Sequence, residues 1–147
     1  MSYDEWINSI NILMKSNNND IKDKLLKEEA SNEKLYLLEP KLFDLIKIKF
    51  NNSVQRIIDS LAEILSDNYS LDLALIDFKK KVKFVYELID IKIISDEKKD
   101  KLKEMIVSET NKVYDILLDE ARYTDPYGIL EQTIKNNRIK WSWNYEL

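Results

Sequence analysis

Asp59, Glu63 and Asp67 follow one another at intervals of four residues, and Asp115 and Asp119 repeat that interval further along the chain. On a helix a step of four returns to nearly the same face, so each set forms a stripe of carboxylates. Such stripes suit two kinds of chemistry. On facing helices they can hold Mg²⁺ for phosphate transfer or hydrolysis, because hard cations take oxygen ligands. As an unbroken acidic face they can instead steer a basic protein toward themselves through complementary potential.

The distribution of charge favours the second. Residues 57–78 contain five acids and no base, and residues 104–131 contain seven acids against two bases, a net charge of −5 in each. Helices carrying these segments side by side would present one strongly negative surface. Neither Glu28 with Glu29 nor the 59–67 stripe reproduces the tightly clustered acidic motifs of the all-helical nucleotide pyrophosphatases. No facing cluster is identifiable that would complete an oxygen shell, so neither a metal nor a cofactor is expected. The chain has no histidine and no cysteine. It therefore lacks the commonest general base, thiolate zinc ligands and a cysteine nucleophile, and the expectation is a protein that is not an enzyme.

Two lysine clusters, Lys79–Lys81 with Lys83 and Lys98, Lys99, Lys101 and Lys103, raise the opposite possibility of phosphate binding. Residues 79–103 carry nine lysines against five acids, but they sit in a chain of net charge −4. That balance opposes generic binding of nucleic acid. Lysine outnumbers arginine by 20 to 3, a bias expected of AT-rich codon usage throughout a genome, so much of the lysine is background. Glu97 also precedes Lys101 in the favourable order for a helical ion pair.

Aromatic residues concentrate at the carboxy-terminal end: Tyr123, Tyr127, Trp141, Trp143 and Tyr145 are five of the chain's fifteen. Ile139, Trp141, Trp143, Tyr145 and Leu147 alternate with polar residues, a period of two that predicts an extended or β tail over 139–147. Trp and Tyr on an accessible segment are favoured interface anchors, and a strand can add to a partner's sheet edge. The competing role is a lid over the end of the fold, which would keep these rings out of water.

The elements that must position these groups are helical. One Gly and two Pro in 147 residues leave few chain breakers. Ser2 with Glu5 matches a capping box ahead of Trp6, Ile10 and Leu13, predicting a helix over 3–15. Asn19 or Asp20 caps a second helix to about Glu29, with Ile21 and Leu25 inward. A helical turn at 32–38 ends at Pro40, which suits the first turn of the next helix. Leu42, Ile46, Phe50, Val54, Ile57, Leu61 and Ile64 keep one phase, so a single helix is expected over 40–66, with a break at Asn51–Asn52 as the alternative. After a turn at 67–70 with Ser70 as cap, Leu71, Leu75, Phe78, Val82, Val85 and Ile89 form a heptad-like seam that Ile93 extends. Ser95 and Asp96 open a helix carrying Leu102, Ile106, Val113, Leu117 and Ala121 to about Arg122. Asp125 and Pro126 restart a short last helix to about Asn136.

The expected architecture is all-α, a single-domain antiparallel bundle of five or six helices over residues 1–147. The amino terminus shows no signal-peptide pattern, and no apolar run approaches the roughly 20 residues that span a bilayer, so a cytoplasmic protein without a membrane span is expected. The expected function is a protein-binding module acting by occlusion. Its narrowest form is an inhibitor such as a bacterial immunity or antitoxin protein, whose acidic face neutralises a basic toxin or nuclease domain. Its expected contact residues are Asp59, Glu63, Asp67, Asp115, Asp119, Trp141, Trp143 and Tyr145. A metal-dependent, nucleotide-hydrolysing helical enzyme and a nucleic-acid-binding regulator are the alternatives, and oligomeric state is open.

Overall fold

The structure, a computed structural model, describes residues 1–30 and 33–141. Among these, seven α-helices and one 3-10 segment account for the regular structure, and there is no strand. The helices are α1 (Tyr3–Lys15), α2 (Asn19–Lys27), α3 (Glu39–Asp59), α4 (Leu61–Ile64), α5 (Asn68–Leu88), α6 (Asp96–Thr124) and α7 (Ile129–Asn136), with the 3-10 segment at Glu33–Leu38.

The all-α expectation holds, and the count of five or six helices rises to seven because the helix expected over 40–66 is two. It breaks at Ser60, not at Asn51–Asn52: Ser60 donates its N–H to the Ile57 carbonyl at 3.3 Å, a tighter turn than the α-helix makes, and α4 restarts at Leu61. Other boundaries shift by a residue or a turn. Asn18, not Asn19 or Asp20, caps α2 by accepting the Ile21 N–H at 3.0 Å. Asp67 takes the capping role expected of Ser70, since its carboxylate accepts both the Ser70 N–H at 2.8 Å and the Ser70 hydroxyl at 2.9 Å. Helix α5 ends at Leu88, short of Ile93. Ile89 and Ile91 point to opposite sides of a helix, whereas the turn that replaces it buries Ile89, Ile91, Ile93 and Ile94 together. The capping box of α1 forms as expected, with the Glu5 N–H on the Ser2 hydroxyl at 3.2 Å.

The chain divides into two compact units: Met1–Asn52 with Lys83–Glu104, and Ser53–Val82 with Met105–Leu147. The first has its core in Trp6, Ile10, Leu13, Leu25, Leu42, Ile46 and Phe50, joined by Val85, Leu88 and Ile89, all at most 1% exposed. Ion pairs between residues distant in sequence border this core. Lys22 meets Glu87, Lys92 meets Glu29, and Lys98 meets Glu39, whose carboxylate also accepts the Ser95 N–H at 3.1 Å at the start of α6.

The second unit buries Leu71, Leu75, Phe78 and Val82 from α5 and Ile106, Val113, Tyr114, Leu117 and Ala121 from α6. Phe78 meets Tyr114 edge to face, with ring centroids 5.9 Å apart. Helix α7 adds Leu130 and Ile134 to this core, and Asn137 ties its end to α5 through Asp72 at 3.0 Å. It begins three residues later than Pro126 suggests. Asp125 does cap the turn, accepting from Tyr127 N–H at 2.9 Å and Leu130 N–H at 2.8 Å. The chain first passes through Gly128 at φ 76°, a left-handed conformation that glycine adopts without strain. No described helix is long and apolar enough to cross a membrane.

Candidate functional site

The second unit contains a cleft of about 670 Å³ lined by Ile58, Asp59, Leu61, Ala62, Leu65, Ser66, Glu120 and Thr124. Three elements make it: the end of α3, the short α4 with the turn after it, and the last turns of α6. The break at Ser60 belongs to its construction, because α4 follows α3 after that tight turn and both contribute lining residues. Leu65 is buried at its wall, while Leu61 is partly open to it.

The cleft unites the two acidic segments. Asp59 belongs to the segment 57–78 and Glu120 to 104–131, and both carboxylates line the cavity while remaining solvent-exposed. No lysine or arginine is among the described lining residues. Asp59 accepts the neutral amide of Gln55 at 2.7 Å, and the Glu120 carboxylate has no hydrogen bond or ion pair among the described residues. Arg122, two residues beyond Glu120, is directed elsewhere. Its guanidinium holds Glu131 at 2.9 Å and reaches Asp119 at 3.8 Å.

The expected contact residues have different surroundings. Glu63 is exposed and its carboxylate is unpaired among the described residues. Asp67 is exposed but engaged as the cap of α5; the Ser70 N–H and hydroxyl hold its carboxyl below the ordinary carboxylate range. Asp115 pairs with Arg138 at 3.5 Å and Asp119 with Arg122. Of the carboxylates in the two stripes, only Asp59 lines the cleft; its acidic companion there, Glu120, falls one residue out of register with the 115–119 stripe. Membership of the net −5 segment was the one sequence signal that included it. Among the described residues no three acidic side chains converge as metal ligands would.

Trp141 is half-buried, its indole N–H 3.5 Å from the Asn111 side-chain oxygen, and Ile139 is buried. Trp143 and Tyr145 lie outside the described residues, as does most of the tail expected as a strand over 139–147. Tyr123, in the last turn of α6 next to the cleft residue Thr124, and Tyr127, in the turn that follows, are 90% and 87% exposed, so both rings are available to a partner. In the lysine clusters, Lys81 is paired with Asp77 and Lys83 with Glu87, while Lys98, Lys101 and Lys103 pair with Glu39, Glu97 and Asp90.

The fold and the site thus define a helical chain with an acid-rimmed cleft that is half aliphatic and half polar. No known protein family, no curated protein and no solved structure matches the chain.

Proposed function

We propose that this chain is a protein-binding module that acts by occlusion, docking a basic partner on the acidic face centred on Asp59, Glu63 and Glu120. The observation that carries the reading is the cleft itself. Carboxylates from both net −5 segments border one cavity that is also lined by Ile58, Leu61, Ala62 and Leu65, with no cation among its described lining residues. An apolar floor supplies the area a partner buries, and the uncompensated charge selects its sign and speeds encounter. The exposed rings of Tyr123 and Tyr127 add aromatic surface of the kind that anchors interfaces.

The narrower form of the proposal is an inhibitor of the immunity or antitoxin type whose target is a basic toxin or nuclease domain. Support for it is a matter of type: a small acidic chain without histidine or cysteine suits a blocking role better than a catalytic one. The aromatic tail, with Trp141, Trp143 and Tyr145, belongs to the same proposal as an anchor.

Kinetics test the two regions separately. Reversing Asp59 and Glu63 to Lys is expected to lower the association rate and flatten its salt dependence. Trp143→Ala is expected to raise the dissociation rate, by an amount on the order of 2 kcal/mol for an interface anchor. A Trp143→Ala chain that is unfolded when free would make the tail a structural lid.

A further inference from the structure

The cleft's polar side chains share one property: each is placed to accept and none has a proton free to donate. Asp59 and Glu120 present carboxylate oxygens. The two hydroxyls of the lining have their protons engaged within the chain, and Ser66 also lies 3.4 Å from the Asp67 carboxylate. Ser66 donates to the Glu63 carbonyl at 2.6 Å, and Thr124 donates to the Glu120 carbonyl at 3.2 Å and the Ala121 carbonyl at 3.3 Å. Each hydroxyl therefore turns only lone pairs outward. A carboxylate, phosphate or carbonyl group entering the cleft finds no side-chain donor, and an anion meets repulsion as well. The remaining lining, Ile58, Leu61, Ala62 and Leu65, is aliphatic.

A complementary occupant must be rich in donors, lack acceptors, carry positive charge and have an apolar stem. Arginine meets all four conditions, with five N–H donors in a planar fork, no acceptor, and a three-carbon chain that packs on apolar surface. A lysine offers three donors on a more strongly hydrated point charge, which suits an aliphatic-walled cavity less well. The cavity's size, about 670 Å³, also exceeds a single side chain and leaves room for an apolar neighbour of the arginine.

We propose that the cleft seats an arginine of the partner protein, its guanidinium on Asp59 and Glu120 and its stem against Leu61, Ala62 and Leu65. The inference rests on the protein-binding reading above and names the chemistry of the partner's anchor.

The test uses three capped tripeptides, Leu-Arg-Leu, Leu-Lys-Leu and Leu-citrulline-Leu, titrated into the ¹⁵N-labelled full chain, with agmatine as a small-cation control. Citrulline keeps the shape of arginine but is neutral and carries an acceptor. The arginine peptide is expected to give saturable shifts confined to residues 58–66 and 120–124, in a range on the order of millimolar for so small a ligand. The citrulline peptide is expected to bind at least ten-fold more weakly, the lysine peptide to fall between, and Glu120→Gln with Asp59→Asn to remove the difference. Both substituted side chains are exposed, so the variant is expected to fold, which the unshifted remainder of its spectrum checks. Equal binding of arginine and citrulline peptides, or shifts elsewhere, would overturn the proposal. Agmatine binding as tightly as the peptide would overturn the protein occupant in favour of a small cation. A native partner whose association is slowed by reversing Asp59 and Glu63 to Lys, but whose affinity is unchanged by the neutral double substitution, would overturn the arginine seat while leaving the acidic-face reading intact. Saturable, arginine-selective shifts without any native partner would do the reverse.

Discussion

The carboxylate of Asp67 accepts both the backbone N–H and the hydroxyl of Ser70, at 2.8 and 2.9 Å, and so closes the first turn of α5. One of three carboxylates spaced to share a face is thereby committed to a helix end. Asp67→Ala removes that cap and is expected to lower the urea midpoint with an unchanged slope, whereas Asp67→Asn keeps an accepting oxygen and loses less. The depressed pKa gives the pH dependence its sign. Stability from this cap is present above the ordinary aspartate range and is lost as pH falls through the lower folded value. An acid titration of stability that is identical in the wild type and Asp67→Ala would contradict this.

Lys22 is the least anticipated charge. It is 6% exposed, paired with Glu87 across 65 residues of sequence, and its ammonium stands 4.9 Å from the centre of the Phe84 ring. Among the described residues Lys22→Ala leaves Glu87 with the distant contact to Lys83 at 4.0 Å, and is expected to cost about 3 kcal/mol in urea denaturation. Lys22→Met with Glu87→Leu removes both charges and is expected to recover most of that loss. A double variant no more stable than the single would show that the pair matters for its packing and not for the buried charge.

Tyr114 is fully buried, and its hydroxyl makes no well-formed hydrogen bond among the described residues. Burial pushes its phenol well above the ordinary tyrosine range, against the weaker opposing pull of the Ile139 backbone and the Arg138 charge. A raised folded pKa contributes stability at pH values below the ordinary tyrosine range and loses it as pH rises beyond. Tyr114→Phe is therefore expected to be neutral or stabilising by about 1 kcal/mol near neutral pH and to resist alkaline unfolding better than the wild type. Urea melts at neutral and alkaline pH check both halves, and a marked destabilisation at neutral pH would reveal a hydrogen bond that matters.

These residues also show what could be read from sequence and what could not. Local signals were legible: Ser2 with Glu5 forms the α1 capping box, and the stripe Leu42, Ile46, Phe50 is buried as its spacing required. The break at Ser60 was not, because Ile57, Leu61 and Ile64 keep helical phase straight through it, and periodicity does not register one displaced hydrogen bond. Caps moved by one turn or less because neighbouring side chains compete for the same N–H groups, as Asn18 does with Asn19 and Asp67 with Ser70. Lys22 lies between Ile21 and Leu25 and reads as solvated until Glu87 is placed beside it, which only tertiary structure does. The cleft is the same case. Spacing singled out Asp59, but Glu120 became its companion only when α3 and α6 had been brought to one cavity.

Gly128 sits at φ 76° with nothing within 4 Å of the position a Cβ would occupy. Any penalty for Gly128→Ala is therefore conformational, not steric against a neighbour, and is expected to be about 1 kcal/mol. Thermal or urea denaturation reads it directly. A neutral substitution would show that the turn between α6 and α7 can take another conformation without loss.

Docking of a basic protein on the acidic cleft is open to direct measurement. The most direct measurement starts with the tagged chain recovered from its native cell, the retained partner identified and purified, and its association followed by stopped flow against three forms of this chain. These are the wild type, Asp59→Lys with Glu120→Lys, and Lys98→Glu with Lys101→Glu. Docking on the cleft requires the first variant to slow association at least ten-fold at low salt and to flatten its salt dependence, while the second leaves the rate unchanged or faster. A partner whose association is untouched by the cleft reversals and slowed by the lysine reversals would contradict it.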